Sequence, residues 1–298
     1  MNNITEALLD TLLETIIDTA KLLPILFITY LIMEALEHYA SERTFTLIKK
    51  GRGAGPLLGG LLGIVPQCGF AGGAASLYAG GAVTLGTLIA VFIATSDEML
   101  PILISEGSGA MIWRFMIFKL VAAVISGLTV DIILRAARRG RGKSPDGEVN
   151  IGAVCERDGC DCGDDEHGGI FMPALRHTLK ITAVIFAVSL AIGIVFCFVG
   201  EEELARLPIN VPVLGEALAA LFGLIPNCSV SVLLTKLYLG GVIGAGPMLA
   251  GLCANGGVGL LVLFRMNGSL KKNISVTALM WVLGVFWGVV ARIIFAFV

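Results

Sequence analysis

Apolar and polar positions along the chain sort into two series of four stretches. Apolar runs fill about 16–40, 56–80, 84–105 and 111–137, a polar segment occupies 138–172, and further apolar runs fill about 173–199, 213–239, 242–264 and 274–297. About 20 apolar residues in a helix cross a hydrocarbon core roughly 30 Å thick, so the pattern predicts membrane helices on both sides of a polar linker. The equal layout predicts an internal duplication. Sliding 63–81 (GIVPQCGFAGGAASLYAGG) by 160 positions onto 223–241 (GLIPNCSVSVLLTKLYLGG) matches 7 of 19 residues, among them the proline, the cysteine and the closing Leu-Tyr-x-Gly-Gly. Upstream, Asp18-Thr-Ala-Lys21 aligns with His177-Thr-Leu-Lys180 after a one-residue adjustment. Composition alone would match Leu, Ala and Gly between unrelated spans, but not Pro-x-Cys and Tyr in register.

Two kinds of interruption break the apolar runs. The first is the Pro-x-Cys turn. Pro66 has no amide hydrogen and disfavours helical backbone at Val65, so a helix starting at Pro56 should end there. The limb Pro56–Val65 is ten residues, about 15 Å of helix, which reaches roughly the bilayer midplane. This predicts re-entrant hairpins over 56–80 and 213–239. The second lies mid-span, in FIATSDEMLPIL (92–103) and its mate GLCANGGVGLL (251–261), which predict broken helices in spans 84–105 and 242–264. Irregular backbone at that depth survives only inside protein or beside a water-filled cavity.

Composition agrees. The 298 residues are 56% hydrophobic and 15% charged, with mean hydropathy +0.88, against roughly a quarter charged in soluble domains. The formal net charge of −2 says little about partners and gives no reason to expect nucleic acid, but its distribution sets an orientation. Basic residues cluster in three loops: Arg43, Lys49, Lys50 and Arg52; Arg135, Arg138, Arg139, Arg141 and Lys143; Arg265, Lys271 and Lys272. Loop 200–212 carries Glu201, Glu202 and Glu203, and the leader carries Glu6, Asp10, Glu14 and Asp18. The leader lacks the basic start and cleavage site of a signal peptide. If all eight runs crossed, two basic clusters would fall on opposite faces. If 56–80 and 213–239 are re-entrant, all three lie in the cytoplasm, as the positive-inside rule requires. Each half then has three full crossings, an odd number, so the halves are inverted. The expectation is an all-α integral protein of the cell's inner (plasma) membrane with its N-terminus outside. Its first repeat is 1–137, its cytoplasmic linker 138–172 and its inverted second repeat 173–298.

The chemistry gathers at the interruptions. Asp97 and Glu98 stand mid-span, where a lipid-facing carboxylate costs at least roughly 2.5–3.5 kcal/mol, so a cation or proton site is the functional reading and a helix-end cap the plain one. Gln67, Cys68, Asn227 and Cys228 at the turns, with Thr95, Ser96 and Asn255 at the breaks, complete a candidate oxygen and sulfur set. Carboxylate and carbonyl oxygens suit Mn²⁺, and thiolates suit softer ions. The cysteines serve equally well as small packing residues, and the carboxamides as caps of the turn. Asp97, Glu98, Cys68 and Cys228 are the candidate metal ligands. Glu34, Glu37 and His38 share a helical face that fits either a metal or an ordinary interface. Lys236 is either a counter-charge or a snorkelling lysine. Seven cysteines split between apolar runs and the linker argue against a disulfide framework. The linker segment VCERDGCDCGDDEHGG places Cys155, Cys160, Cys162 and His167 among acids, a weak second metal tract or a solvated loop. Gly284-x-x-x-Gly288 permits close helix packing within a protomer or in a homodimer.

No G-x-x-x-x-G-K-[ST] loop and no His-Glu-x-x-His occurs, so neither an ATPase nor a metalloprotease is expected, and no resident cofactor is implied. The twin Pro-Gln-Cys-Gly and Pro-Asn-Cys-Ser turns, the Thr-Ser-Asp-Glu interruption and the acid- and cysteine-rich linker resemble the ten-transmembrane heavy-metal exporters, a family labelled arsenic-efflux permease-like or manganese transporter. The likeness runs over nearly all of the chain after the first ~15 residues. Ten segments would correspond to six crossings plus four half-helices. The resemblance implies efflux of a metal or metalloid, although His167 is nearly alone in a linker that in this family is often richer in histidine. The expected function is secondary-active export of a divalent metal, Mn²⁺ foremost, by proton-coupled alternating access. The alternative cargo is an anion or metalloid (arsenite-, phosphate- or organic-acid-like) held at helix N-termini near Gly69 and Ser229. An intramembrane enzyme or scaffold subunit is the remaining class.

Overall fold

In the computed structural model, residues 54–64, 68–95, 99–105, 109–140, 171–199 and 211–296 are described, with scattered positions between 9 and 31. Each regular element among them is an α-helix. In chain order these are α1 (Gly55–Gly63), α2 (Cys68–Ala79), α3 (Leu85–Ala94), α4 (Met99–Ser105), α5 (Gly109–Gly140), α6 (Phe171–Val199), α7 (Leu214–Gly223), α8 (Cys228–Leu239), α9 (Ala245–Ala254), α10 (Gly257–Met266) and α11 (Leu270–Ala296). The described stretches Met111–Ala137, Ala245–Met266 and Leu270–Ala296 are long and apolar enough to cross a membrane. Their exposed faces are apolar: Trp113, Ile132 and Ile133 on α5, and Phe286 and Ile293 on α11. Such a surface is stable against lipid rather than water.

The helices stop where the sequence removes their hydrogen bonds. α1 opens with Pro56 in its first turn, where a missing N–H costs nothing, and ends at Gly63. α7 ends at Gly223, just before Pro226, and the chain turns through Ile225 N–H to the Phe222 carbonyl and Asn227 N–H to the Ile225 carbonyl, at 3.0 and 2.8 Å. α2 and α8 restart at Cys68 and Cys228, 160 positions apart, and the offset persists through both bounds of α3 and α9. It extends to backbone torsions: Gly81 and Gly241, which close α2 and α8, have φ of 74° and 71°, a region glycine enters without steric cost. The mid-span interruptions are real breaks. Thr95 follows α3 with φ −54° and ψ 126°, outside the helical region, and Asn255 follows α9 in extended conformation.

Packing repeats with the backbone. α3 lies against α1 and α5, as α9 lies against α7 and α11. Across the halves, α2 runs along α10, α8 meets α4, and α3 meets α9. α3 and α9 are buried on every side from Gly86 to Ala94 and from Gly246 to Ala254, which fits their apolar character all round. One core joins them, with Phe92, Phe115, Met248 and Leu252 among its members. Small residues allow the close crossings. Gly86 and Gly127 face each other so closely that a Cβ on either would meet the other's carbonyl at 2.2 or 2.6 Å. The equivalent crossing of α9 and α11 uses Gly246 and Gly288, which sets an offset of 160 for α3 and α9 and 161 for α5 and α11. Gly284 and Gly288 pack onto Ala250 and Ala254 of the same chain, so this face is spent within the protomer.

The N-terminal ends of α3 and α7 are held differently. Thr84 caps α3, accepting from the Thr87 N–H at 3.1 Å and donating to Asp131 Oδ2 at 2.7 Å, while Gly86 N–H donates to Asp131 Oδ1 at 2.9 Å. In the second half the position of Asp131 is taken by Arg292. Its Nε donates to Oε1 of the fully buried Glu216 in the first turn of α7, at 2.5 Å. Negative charge thus stands at the start of both α3 and α7, as a helix N-terminus favours.

Candidate functional site: two helix ends around a buried lysine

α3 and α9 both end inside the protein, where the last carbonyls of a helix have no amide within that helix to accept from. The two ends meet. Lys119, on α5, is fully buried, and its ammonium donates to the carbonyl of Thr95 at the end of α3 and, at 3.3 Å, to that of Leu252 in the last turn of α9. An isolated ammonium in so apolar a place would cost several kcal/mol. Each helix C-terminus carries the equivalent of roughly half a negative charge, so two of them offset about one positive charge. One cation from the first half therefore ties together broken spans from both halves.

The second break is built into the same junction. Asn255 Oδ1 accepts from Gly257 N–H at 2.8 Å, turning the chain into α10, where Gly257 adopts φ +47°. Its Nδ2 donates to Ser231 Oγ at 2.5 Å, and Ser231 is buried in the first turn of α8. The start of α8, the end of α9 and the start of α10 therefore converge. Phe92, from the last turn of α3, fills the space beside Gly256, which precedes α10, and Gly259 in its first turn.

Of the expected site residues, Thr95 is buried, its hydroxyl bonded to the Val91 carbonyl at 2.7 Å and its own carbonyl on Lys119. Asn255 lies at the α9–α10 break as expected. Asn227 is buried immediately before α8, one turn from Ser231. Cys68 and Cys228 begin α2 and α8, and their side chains lie outside the described positions. Gln67, Ser96, Asp97 and Glu98 lie outside the described residues, as do Glu34, Glu37 and His38, and Cys155, Cys160, Cys162 and His167 of the linker. Among the described residues no group of three or more His, Cys, Asp or Glu side chains assembles. Lys236 is exposed in the last turn of α8, which favours the snorkelling reading over the counter-charge.

Sequence reasoning missed Lys119, Ser231, Asp131 and Glu216. For Lys119 a signal existed. It stands inside WRFMIFKLVAAV with apolar neighbours on both sides, where the α11 register has Met280. An ionisable residue at such depth marks function by default; attention to loop charges alone passed over it.

Comparison with curated proteins and with solved structures returned no match. The family described as "Putative, 10TM heavy-metal exporter" matches residues 5–193, more than half of the chain, from the leader through both early interruptions and the linker into α6. Together with the broken, apolar, membrane-length helices, this match places the chain in that family of ten-transmembrane heavy-metal exporters.

Proposed function

We propose that the protein exports a divalent metal ion, Mn²⁺ foremost, by proton-coupled alternating access. Its halves are taken to be inverted repeats, with α1–α2 and α7–α8 as hairpins entering from opposite faces. The N-terminus lies outside and the 138–172 linker in the cytoplasm. The observation that carries this reading is the meeting of two interrupted spans, one from each half, at a buried point where backbone carbonyls of both helix ends converge on one cation, the Lys119 ammonium. Half-helix C-termini of this kind coordinate cations in discontinuous transporter spans. Ser96, Asp97 and Glu98 follow Thr95 directly in the chain and supply the charge that a divalent ion requires. Gln67, Cys68, Asn227, Cys228 and Asn255 complete the site.

The test is metal-resolved transport into proteoliposomes, wild type against Asp97→Asn. Wild type should move Mn²⁺ faster than Ca²⁺ or Mg²⁺, and the variant should lose at least about tenfold in rate. Export of an anion with no divalent cation moved would overturn the reading. The second reading, an arsenite-, phosphate- or organic-acid-like cargo, is favoured by one specific observation, the buried ammonium of Lys119, and would use the N-terminal ends of α2 and α8 as further positive poles.

A further inference from the structure

Lys119 does not fit the ordinary pattern of a structural lysine. Its side chain is fully buried, and its ammonium rests on carbonyls from two different broken helices, 24 and 133 residues away. Those oxygens are orphaned acceptors at negative helix ends, the type of group that replaces the hydration shell of a bound cation. Lysine's ammonium is a compact point charge on a flexible stem, with three donors and no acceptor, and in size and charge it is a tethered cation.

We infer that Lys119 is the protein's own occupant of the cation seat, and that cargo and ammonium exclude each other at the Thr95 carbonyl. The inference rests on the proposed export of a divalent cation and names the residue that sets affinity and release at that site. When the seat holds no metal, Lys119 joins the end of α3 in the first half to the end of α9 in the second. An arriving metal ion displaces the ammonium through like-charge repulsion and competition for the same oxygen. The bridge between the halves then opens, so occupancy is linked to their relative movement. When the ammonium returns it drives the metal out, which an exporter needs in order to release a tightly bound ion. The position equivalent to Lys119 in the α11 register is the fully buried Met280, so one ammonium serves both ends. Asn255, at the second break, bonds Ser231 and Gly257 instead and leaves the Leu252 carbonyl to Lys119.

The test compares full-length wild type, Lys119→Gln and Lys119→Met for equilibrium binding and initial export rates, with Mn²⁺, Zn²⁺ and Cd²⁺ each offered alone. Gln keeps donors for the two carbonyls, and Met keeps the length of the side chain. Repulsion between a mono- and a divalent cation a few ångströms apart is large at any interior dielectric, so removing the charge should tighten metal binding at least about tenfold. KM should fall in parallel while maximal rate drops at least about fivefold, because expulsion is lost. A merely structural lysine would lower melting temperature and rate without lowering KM, and that result would overturn the inference. So would loss of arsenite or phosphate transport together with unchanged metal affinity, which would make Lys119 an anion's counter-charge. If wild type moves no divalent cation, the export reading falls and this inference with it. If wild type moves one and the neutral variants bind it no more tightly, this inference falls alone. Should neither variant fold, a cryo-electron microscopy structure of metal-loaded wild type decides. Nζ should have left the Thr95 carbonyl, and metal bound with Nζ still in place refutes the proposal.

Discussion

The crossing of α7 and α9 offers a sharp test of the packing that positions the site. A Cβ placed on Gly223 would lie 2.1 Å from the Gly251 carbonyl oxygen, 2.8 Å from its carbon and 2.9 Å from its Cα. All three are backbone atoms, so no rotamer change relieves the clash. Ordinary contact begins near 3.4 Å, and the helices must separate by about 1.3 Å (3.4 less 2.1) at that point. Overpacking of this kind costs about 1–3 kcal/mol, and a backbone clash belongs at the top of that range. Replacing a helical glycine returns up to about 1 kcal/mol, leaving a net loss of about 2 kcal/mol, or roughly 4 °C in melting temperature for a chain of this size. Gly63 is the same position in the first half, with 2.8 Å to the Val91 oxygen and to Ala94 Cβ, so Gly63→Ala should also destabilise, by about 1 kcal/mol, less than Gly223→Ala because the overlap is smaller. A Cβ on Gly109 meets nothing within 4 Å, and Gly109→Ala should be neutral or slightly stabilising. Thermal unfolding of the purified proteins, followed by tryptophan fluorescence, ranks the three. Transport should suffer more than stability in Gly223→Ala, because Gly251 adjoins Leu252, whose carbonyl holds Lys119. A displacement near 1 Å at a working site can cost tenfold or more. A Gly223→Ala protein as stable and active as wild type would refute the close crossing.

The two supports at the helix N-terminal ends give further expectations. Asp131→Ala strands the buried Gly86 N–H and removes the acceptor of the Thr84 hydroxyl, and should cost about 2 kcal/mol of stability, read as a lower melting temperature. Arg292→Met leaves the carboxylate of Glu216 buried without its guanidinium and should cost about 3–5 kcal/mol. Adding Glu216→Gln to Arg292→Met should recover most of that loss, since the penalty belongs to the orphaned charge rather than to the missing bond. A double-mutant cycle that sums additively would refute this account.

Much of the fold was legible because its signals are local. Pro66 and Pro226 mark the ends of α1 and α7, Gly256 and Gly257 mark the break after α9, and the Thr95–Glu98 interruption marks the break after α3. Each is a departure from an apolar run and is read without knowing any partner. The 160-residue register was legible for the same reason and extends to torsions and helix bounds. The site was legible only along the chain. Asn255 and Thr95 were found at the breaks, but that their helices meet depends on contacts between halves. Lys119 touches residues 24 and 133 positions away, and Glu216 reaches Arg292 across 76. A sequence shows that such charges are costly but not who compensates them.

The duplication also shows where function departs from architecture. Residues that make the frame agree between the halves: Gly63 and Gly223 on their crossings, Gly81 and Gly241 at positive φ, Gly127 and Gly288 on α5 and α11. Charged residues at the crossings and breaks do not agree. Asp131 stands opposite Arg292, Pro56 opposite Glu216, Lys119 opposite Met280, and Asp97 and Glu98 opposite Gly257 and Val258. Two equivalent breaks could have produced two equivalent ion sites. Instead the carboxylates belong to the first break, while the second offers an amide, two glycines and the carbonyl that Lys119 borrows. A repeated scaffold whose mid-span carboxylates stand at only one break fits the proposed single site at the meeting point better than two sites at a distance. A single site reachable from either face in turn is what alternating access requires.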